Sequence, residues 1–331
     1  MTYRIYGSEL SPYSVKVRSF FRYKNIDHEW ILRSPAVQAD FQKYAKLPLV
    51  PLVVTPEGEG IQDSTPILER FEASHPEPSV TPADPALAFV SALLEEYGDE
   101  WGNKWMFHYR WRYQSDVWST AERIAVQMMG AQGTLAVAQA RAAVAERMMG
   151  RLGFVGSNAT TEPVIEASFA RALGLIEAHL ASRPYLLGGR PAMADFGLWA
   201  QLYEAATDPT PGAIMRASAP NVMGWVQRML TPKAEGGFET LAALAPTLEP
   251  LLTQEVGALF LPWSAANATA IGRGDKSFTV NLGGTAWVQE PQKYHARSLT
   301  EIRTKFAKSR GAAGLEALLA STGCTVVLGS T

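Results

Sequence analysis

Apolar positions change their period several times along the first seventy residues. Tyr3-Arg4-Ile5-Tyr6 alternates and stops at Gly7, which predicts a short strand. Ser11-Pro12 then offers a helix start, because serine is a good N-cap and proline suits the first helical position. Tyr13, Val17, Phe20 and Phe21 fall on one face of that helix. Asn25 and Asp27 end it, and Glu29-Trp30-Ile31-Leu32 reads as a second strand. A short helix follows over 36–44, a third strand over 49–55, a turn over 56–60 and a brief fourth strand at Ile61-Gln62. Thr65-Pro66 opens a helix through Ile67, Leu68 and Phe71.

Beyond this point the pattern becomes helical. Residues 75–85 form a proline-rich linker, and apolar spacing of three and four recurs over 86–113, 116–129, 134–152, 162–182, 193–207 and 221–231. Pro163 and Pro220 fit helix starts. Pro191 to Phe196 reads as another, with Asp195 at the third helical position. Ala192 stands where a capping serine or threonine would, so a side-chain cap is not expected and Asp195 reads as structural. The last stretch returns to alternation. Phe278–Leu282 and Thr285–Gln289 flank Gly283-Gly284, a hairpin signal whose register sets Val280 opposite Trp287 and Leu282 opposite Thr285. Ser298-Leu299-Thr300-Glu301 reads as a capping box opening a helix, and a further helix runs to Ser321 with Gly323 as its stop.

Composition narrows the field only a little. The chain of 331 residues is 47% hydrophobic and 19% charged, with a net charge of -2 and no block of one sign. Nothing here points to nucleic acid or an anionic membrane, and no apolar run suggests a transmembrane helix. Cys324 is the single cysteine, so an intrachain disulfide is excluded and a cytoplasmic location is expected. His28, His75, His108, His179 and His295 are scattered without metal-ligand spacing, and no metal is expected.

Three short segments carry the chemistry. Ser11-Pro12-Tyr13-Ser14 sits at a strand-to-helix turn, Val50-Pro51 leads into the third strand, and Asp63-Ser64 stands at a helix mouth twelve residues after Pro51. A helix N-terminus favours a carboxylate through its free N–H groups and its dipole. In this order and spacing the three segments resemble the glutathione-binding domain of the glutathione S-transferase superfamily. The turn is similar to the serine-type members, in the manner of the omega, tau and zeta classes.

The resemblance implies an α+β chain with two domains and an addition. These are a thioredoxin-like domain of order βαβ-α-ββα over 1–78, an all-α domain over 86–250, and a small α/β C-terminal extension over 251–331 that the family does not explain. It implies a cis bond at Val50-Pro51, with the Val50 backbone holding the cysteinyl part of glutathione. It gives Ser64 to the γ-glutamyl carboxylate and Asp63 to its ammonium, with Tyr13 also lining the peptide. Ser11 is the expected thiolate stabiliser, with Tyr6 as runner-up and Ser8 and Ser14 behind it. The cysteine-type pattern has sulfur where this chain has Ser11 and Ser14, so thiol-disulfide exchange at this turn is excluded. Trp105, His108 and Tyr109, in the aromatic run from Trp101 to Tyr113, are expected to line the pocket for a hydrophobic electrophile. Glutathione is thus the expected co-substrate of a detoxifying transferase that works as a homodimer. The alternative is a non-catalytic binding protein that keeps the fold.

Overall fold

The computed structural model describes residues 2–129 and 132–329. Its sheet has the order β2-β1-β3-β4, from β1 (Tyr3–Gly7), β2 (His28–Leu32), β3 (Leu52–Val54) and β4 (Gly60–Gln62). β1 runs parallel to β2 and antiparallel to β3, and β3 pairs antiparallel with β4. Side chains alternate across this sheet as the pleat requires. Ile5 and Val53 join the large core beneath α1 (Pro12–Tyr23) and α3 (Ser64–Ser74), whereas Tyr6, Leu52 and Val54 pack with Phe41 of α2 (Gln38–Tyr44). This is the expected thioredoxin-like order. Val50-Pro51 is cis, as is Glu77-Pro78.

The helical part follows in α4 (Pro85–Tyr97), α5 (Asn103–Arg112), α6 (Gln114–Met129), α7 (Thr134–Met149), α8 (Glu162–Leu180), α9 (Met193–Thr207), α10 (Pro209–Ser218) and α11 (Pro220–Arg228). The helix expected over 86–113 is interrupted by a π turn at Gly98–Gly102. Gly98 explains part of this. A Cβ there would stand 2.5 Å from the Leu198 nitrogen, so only glycine lets α9 approach so closely. Asp195 behaves as expected. It is fully buried and accepts from the Ala192 N–H, the Leu186 N–H and Trp225 Nε1, each at 2.9 Å, while Ala192 provides no side-chain cap.

The extension grows without a break from the helical part. α12 (Leu241–Leu251) runs into a π-helical stretch, Leu252–Phe260, and then α13 (Leu261–Arg273). β5 (Phe278–Leu282) and β6 (Thr285–Gln289) make the expected hairpin, with Val280 opposite Trp287 and Leu282 opposite Thr285. Gly283 and Gly284 supply the two positive φ angles of its turn. Trp287 is fully buried against Trp101, ring centroids 5.5 Å apart, so the hairpin closes the helical core. α14 (Lys293–Ser309), α15 (Leu315–Ser321) and α16 (Thr325–Leu328) complete the chain. α14 begins at Lys293, five residues before Ser298, so the expected capping box lies inside the helix and caps nothing. Among the described residues, no helix is long and apolar enough to cross a membrane.

Candidate functional site

Strand register decides which loops meet. Tyr6 pairs with Leu52, and Leu52 pairs with Gln62. The segment leaving β1, the Val50-Pro51 segment entering β3 and Asp63 leaving β4 therefore share one end of the sheet. α1 and α3 both begin there, directly after β1 and β4. Two helix N-termini with their free N–H groups thus converge on one place.

The first N-terminus is closed by Ser11, whose Oγ accepts from the Ser14 N–H at 3.3 Å. A hydroxyl used as an acceptor still has its own proton to donate. Ser14 itself is buried, and its Oγ has no hydrogen-bond partner among the described residues. The turn is braced from outside. Arg110 Nη1 donates to the Leu10 carbonyl at 3.0 Å, while the same guanidinium pairs with Asp208 at 2.6 Å and Glu204 at 2.7 Å. Arg18 clamps Glu9 through two bonds of 2.6 and 2.8 Å. These bracing residues carry no local signature, so the sequence did not reveal them.

The second N-terminus begins at buried Ser64. Asp63 precedes it with φ +80 and makes no side-chain cap. Its Oδ2 instead accepts a hydrogen bond from the Tyr294 hydroxyl, delivered from the second residue of α14. Gln62 fixes the loop before Val50. Its Nε2 donates to the Leu47 and Leu49 carbonyls at 2.9 and 2.8 Å, and its Oε1 accepts from the Lys46 and Leu47 N–H groups.

Beneath the site lies a buried ionic knot between α1, α4 and the π turn that follows α4. Lys16 Nζ stands 2.5 Å from both Glu95 Oε1 and Asp99 Oδ2, and donates to Thr65 Oγ1 at 3.1 Å. Burial pulls the lysine down, but the two carboxylates outweigh it and hold its pKa above the ordinary value. Burial raises Asp99 to about 7 against the opposing pull of Lys16. The Tyr13 hydroxyl donates to the Asp99 carbonyl at 3.0 Å, which ties the Ser11 turn to the same knot.

Tyr6, the runner-up for the thiolate, is committed elsewhere. It is fully buried on the α2 face, its hydroxyl donates to Asp40 Oδ2, and Arg4 Nη1 donates to it at 3.2 Å. Burial and the Asp40 contact push its pKa up to about 12. The aromatic trio also differs from its expected placement. Trp105, His108 and Tyr109 are 1%, 0% and 5% exposed. Trp105 Nε1 donates to Ser168 Oγ at 2.9 Å, His108 sits between Ser157 and Glu166, and Tyr109 stacks on Tyr113 and packs at a tilt against Phe169. Their helical spacing aims them at α8 as core, and that burial leaves them no face open to an electrophile. A cleft of about 390 Å³ opens between α3, α4 and α14, with Lys305 and Glu69 in its wall, but none of the expected site residues lines it.

Comparison with known proteins gives two matches to family models. Residues 5–79 match the glutathione S-transferase N-terminal domain, and residues 137–228 match the glutathione S-transferase C-terminal domain. No curated protein sequence matches the chain. Similar solved structures include a glutathione S-transferase from Methylobacterium radiotolerans JCM 2831 in complex with glutathione sulfonate. It is 20% identical over 73% of this chain and 100% of that one, with a TM-score of 0.41. A glutathione S-transferase from Rhodospirillum rubrum F11 is 17% identical over 89% and 99%, with a TM-score of 0.46. The Tau class enzyme of mango, Mangifera indica, is 18% identical over 75% and 98%, with a TM-score of 0.42.

Proposed function

Because the chain belongs to the glutathione S-transferase superfamily, we propose that it binds glutathione where α1 and α3 begin and adds its thiolate to a hydrophobic electrophile. The observation that carries this reading is the convergence of two helix N-termini at one end of the sheet. One N-terminus suits a thiolate and the other a carboxylate, and glutathione presents both. In this reading the Ser64 hydroxyl and the α3 N–H groups take the γ-glutamyl carboxylate, and Asp63 takes the ammonium. The Val50 backbone beside Pro51 pairs with the cysteinyl residue, and Tyr13 lines the peptide. Ser11 donates to the sulfur, which lowers the thiol pKa and keeps the nucleophile ionised. Ser11 is preferred to Tyr6 because, among the described residues, its hydroxyl only accepts and keeps its proton to donate, whereas the Tyr6 hydroxyl is held between Arg4 and Asp40.

The thiolate attacks an electrophilic carbon and its electron pair forms the new C–S bond. The pair released by the broken bond leaves with the departing group, or settles on an acceptor carbon that is then protonated. The electrophile approaches beside Tyr13 and Tyr294, since Trp105, His108 and Tyr109 are enclosed. A homodimer, a reducing cytoplasm and a role in detoxification belong to the same proposal. Exposed Leu47, Leu49, Trp118 and Leu135 provide apolar surface that a second subunit could cover.

A specific contact favours one rival. Tyr294 holds the carboxylate that glutathione needs, as expected of a non-catalytic protein that keeps the fold and uses its surface or extension for other partners. Turnover of an aryl halide with Ser11→Ala separates the two. The proposal expects conjugation to fall by about 10–100-fold, the worth of a hydrogen bond to a charged group, while glutathione affinity stays within a few-fold. Equal turnover by both forms removes Ser11 from the mechanism, and absence of turnover in the wild type favours the rival.

A further inference from the structure

We propose that Glu96, Glu100 and His295 form a binding site for a divalent transition-metal ion, with Zn²⁺ the best match to the donor set. The two glutamates stand four residues apart where α4 passes into the π turn, and the histidine is the third residue of α14. Their potential ligand atoms all lie within 4.8 Å of one another. His295 Nδ1 is 3.3 Å from Glu100 Oε2 and 3.8 Å from Glu96 Oε1.

The histidine gives the independent sign. Its side chain is 1% exposed, and its ring packs against Trp263 with centroids 4.5 Å apart. Nε2 is engaged, 2.6 Å from Ser264 Oγ. Nδ1 makes no well-aligned hydrogen bond among the described residues, its 3.3 Å approach to Glu100 being an ion-pair contact, and Glu96 Oε1 has no hydrogen-bond partner among them. One ring nitrogen is therefore oriented by a hydrogen bond while the other faces two carboxylates, the arrangement by which proteins set a histidine toward a metal. A proton on Nδ1 can serve Glu100 at 3.3 Å, but buried Glu96 Oε1 at 3.8 Å would then stay without a partner, whereas a metal ion between the three groups serves all of them.

The nearby cations are occupied. Lys16 is paired with Glu95 and Asp99. Lys104 places its ammonium 3.7 Å over the Trp263 ring and donates to the Val155 carbonyl at 3.3 Å. Lys305 pairs with Glu69. Among the described residues none of the three makes an ion pair with Glu96 or Glu100. A dication would balance two carboxylates and one neutral imidazole.

Donor type selects the ion. Carboxylates alone suit Mg²⁺ and Ca²⁺, whereas an added imidazole shifts preference toward Zn²⁺ and its neighbours. Zn–N and Zn–O bonds of about 2.0–2.2 Å put tetrahedral ligand atoms about 3.4 Å apart. Both distances to Nδ1 are near that value, and rotation of one glutamate closes the remaining pair. Three protein ligands leave a fourth position for water or another ligand.

The test is calorimetric titration of the EDTA-treated full chain with ZnCl₂, and separately with MgCl₂, together with thermal melts in each. The expected result is one Zn²⁺ per chain, little response to Mg²⁺, and a higher Tm with Zn²⁺. His295→Ala and Glu100→Gln should each weaken Zn²⁺ by about 100-fold, and Ser264→Ala by about 10–100-fold, the usual loss for an orienting partner. His75→Ala, remote from the cluster, should bind as the wild type does. Should His295→Ala fail to fold, Glu100→Gln, nearly isosteric, decides alone. Absence of saturable Zn²⁺ binding by the wild type would overturn the proposal, and so would binding that Glu100→Gln leaves intact. Glutathione takes no part in this titration, so its outcome is independent of the transferase reading.

Discussion

Tyr294→Phe is the substitution that most directly probes how the extension bears on the site. It removes one oxygen, the donor to Asp63 Oδ2, and keeps the ring. Partial burial of the hydroxyl, in a side chain otherwise largely exposed, and the adjoining Asp63 carboxylate hold the phenol pKa above its ordinary value, so the tyrosine is neutral and donates. A hydrogen bond to a charged acceptor is worth about 1.5–3 kcal/mol. Tyr294 is 61% exposed, so water competes and the figure falls to about 0.5–1 kcal/mol. If Asp63 must turn from this hydroxyl to the glutathione ammonium, removing the hydroxyl should tighten glutathione by about 2–5-fold. The protein without glutathione should become less stable by a similar free energy. Calorimetric titration with reduced glutathione reads the first effect, and denaturant unfolding reads the second. A Kd that rises in Tyr294→Phe would show that the hydroxyl helps to hold the ligand, and the competition argument would fail.

Other consequences follow from buried groups. Lys16→Met leaves Glu95 and Asp99 buried without their cation and should cost about 3–5 kcal/mol. Equilibrium unfolding checks this, and a loss below about 1 kcal/mol would contradict the buried-pair argument. Asp195→Ala orphans three donors and should cost about 3 kcal/mol or more; an unchanged melting point would refute it. Burial raises Glu255 to about 7, opposed by Ser168 and Arg171. The folded chain then holds a proton on Glu255 that the unfolded chain has released at pH above about 4.3. The contribution is full below that pH and is lost as pH rises through 7. Glu255→Gln, which mimics the protonated form, should therefore gain on the wild type in denaturant midpoint between pH 5 and 7, by at most about 1.4 kcal/mol per unit. A wild type that gains on the variant over that window would show the carboxylate to be favoured.

The fold was readable where local pattern and tertiary packing agree. Alternation at Tyr3–Tyr6, the Ser11 cap and the Gly283-Gly284 hairpin are each set by a few neighbouring residues, and each forms as its pattern implies. The Ser298 capping box failed because helical residues from Lys293 onward already satisfy the backbone that a cap would serve. The π turn at Gly98–Gly102 was hidden because part of its cause is the close approach of α9, far away in the chain, to Gly98. The same distance explains the site. Val50, Asp63 and Ser64 were proposed from their spacing within one domain, and the strand register brings their segments to one end of the sheet. Tyr294 reaches Asp63, and His295 reaches Glu96 and Glu100, only after α14 has folded back. The histidines were read as scattered because their partners are not sequence neighbours. Trp105 and Tyr109 were placed in a ligand pocket on the family resemblance and their aromatic type, whereas their partner α8 makes them core.

The central claim is that glutathione binds across the two helix N-termini. Calorimetric titration of the purified chain with reduced glutathione, repeated with Asp63→Ala, tests it most directly. The account predicts saturable binding that the substitution weakens by about tenfold or more, because it removes the carboxylate that pairs with the ligand's ammonium. No binding by the wild type at millimolar glutathione, or equal binding by both forms, would contradict it.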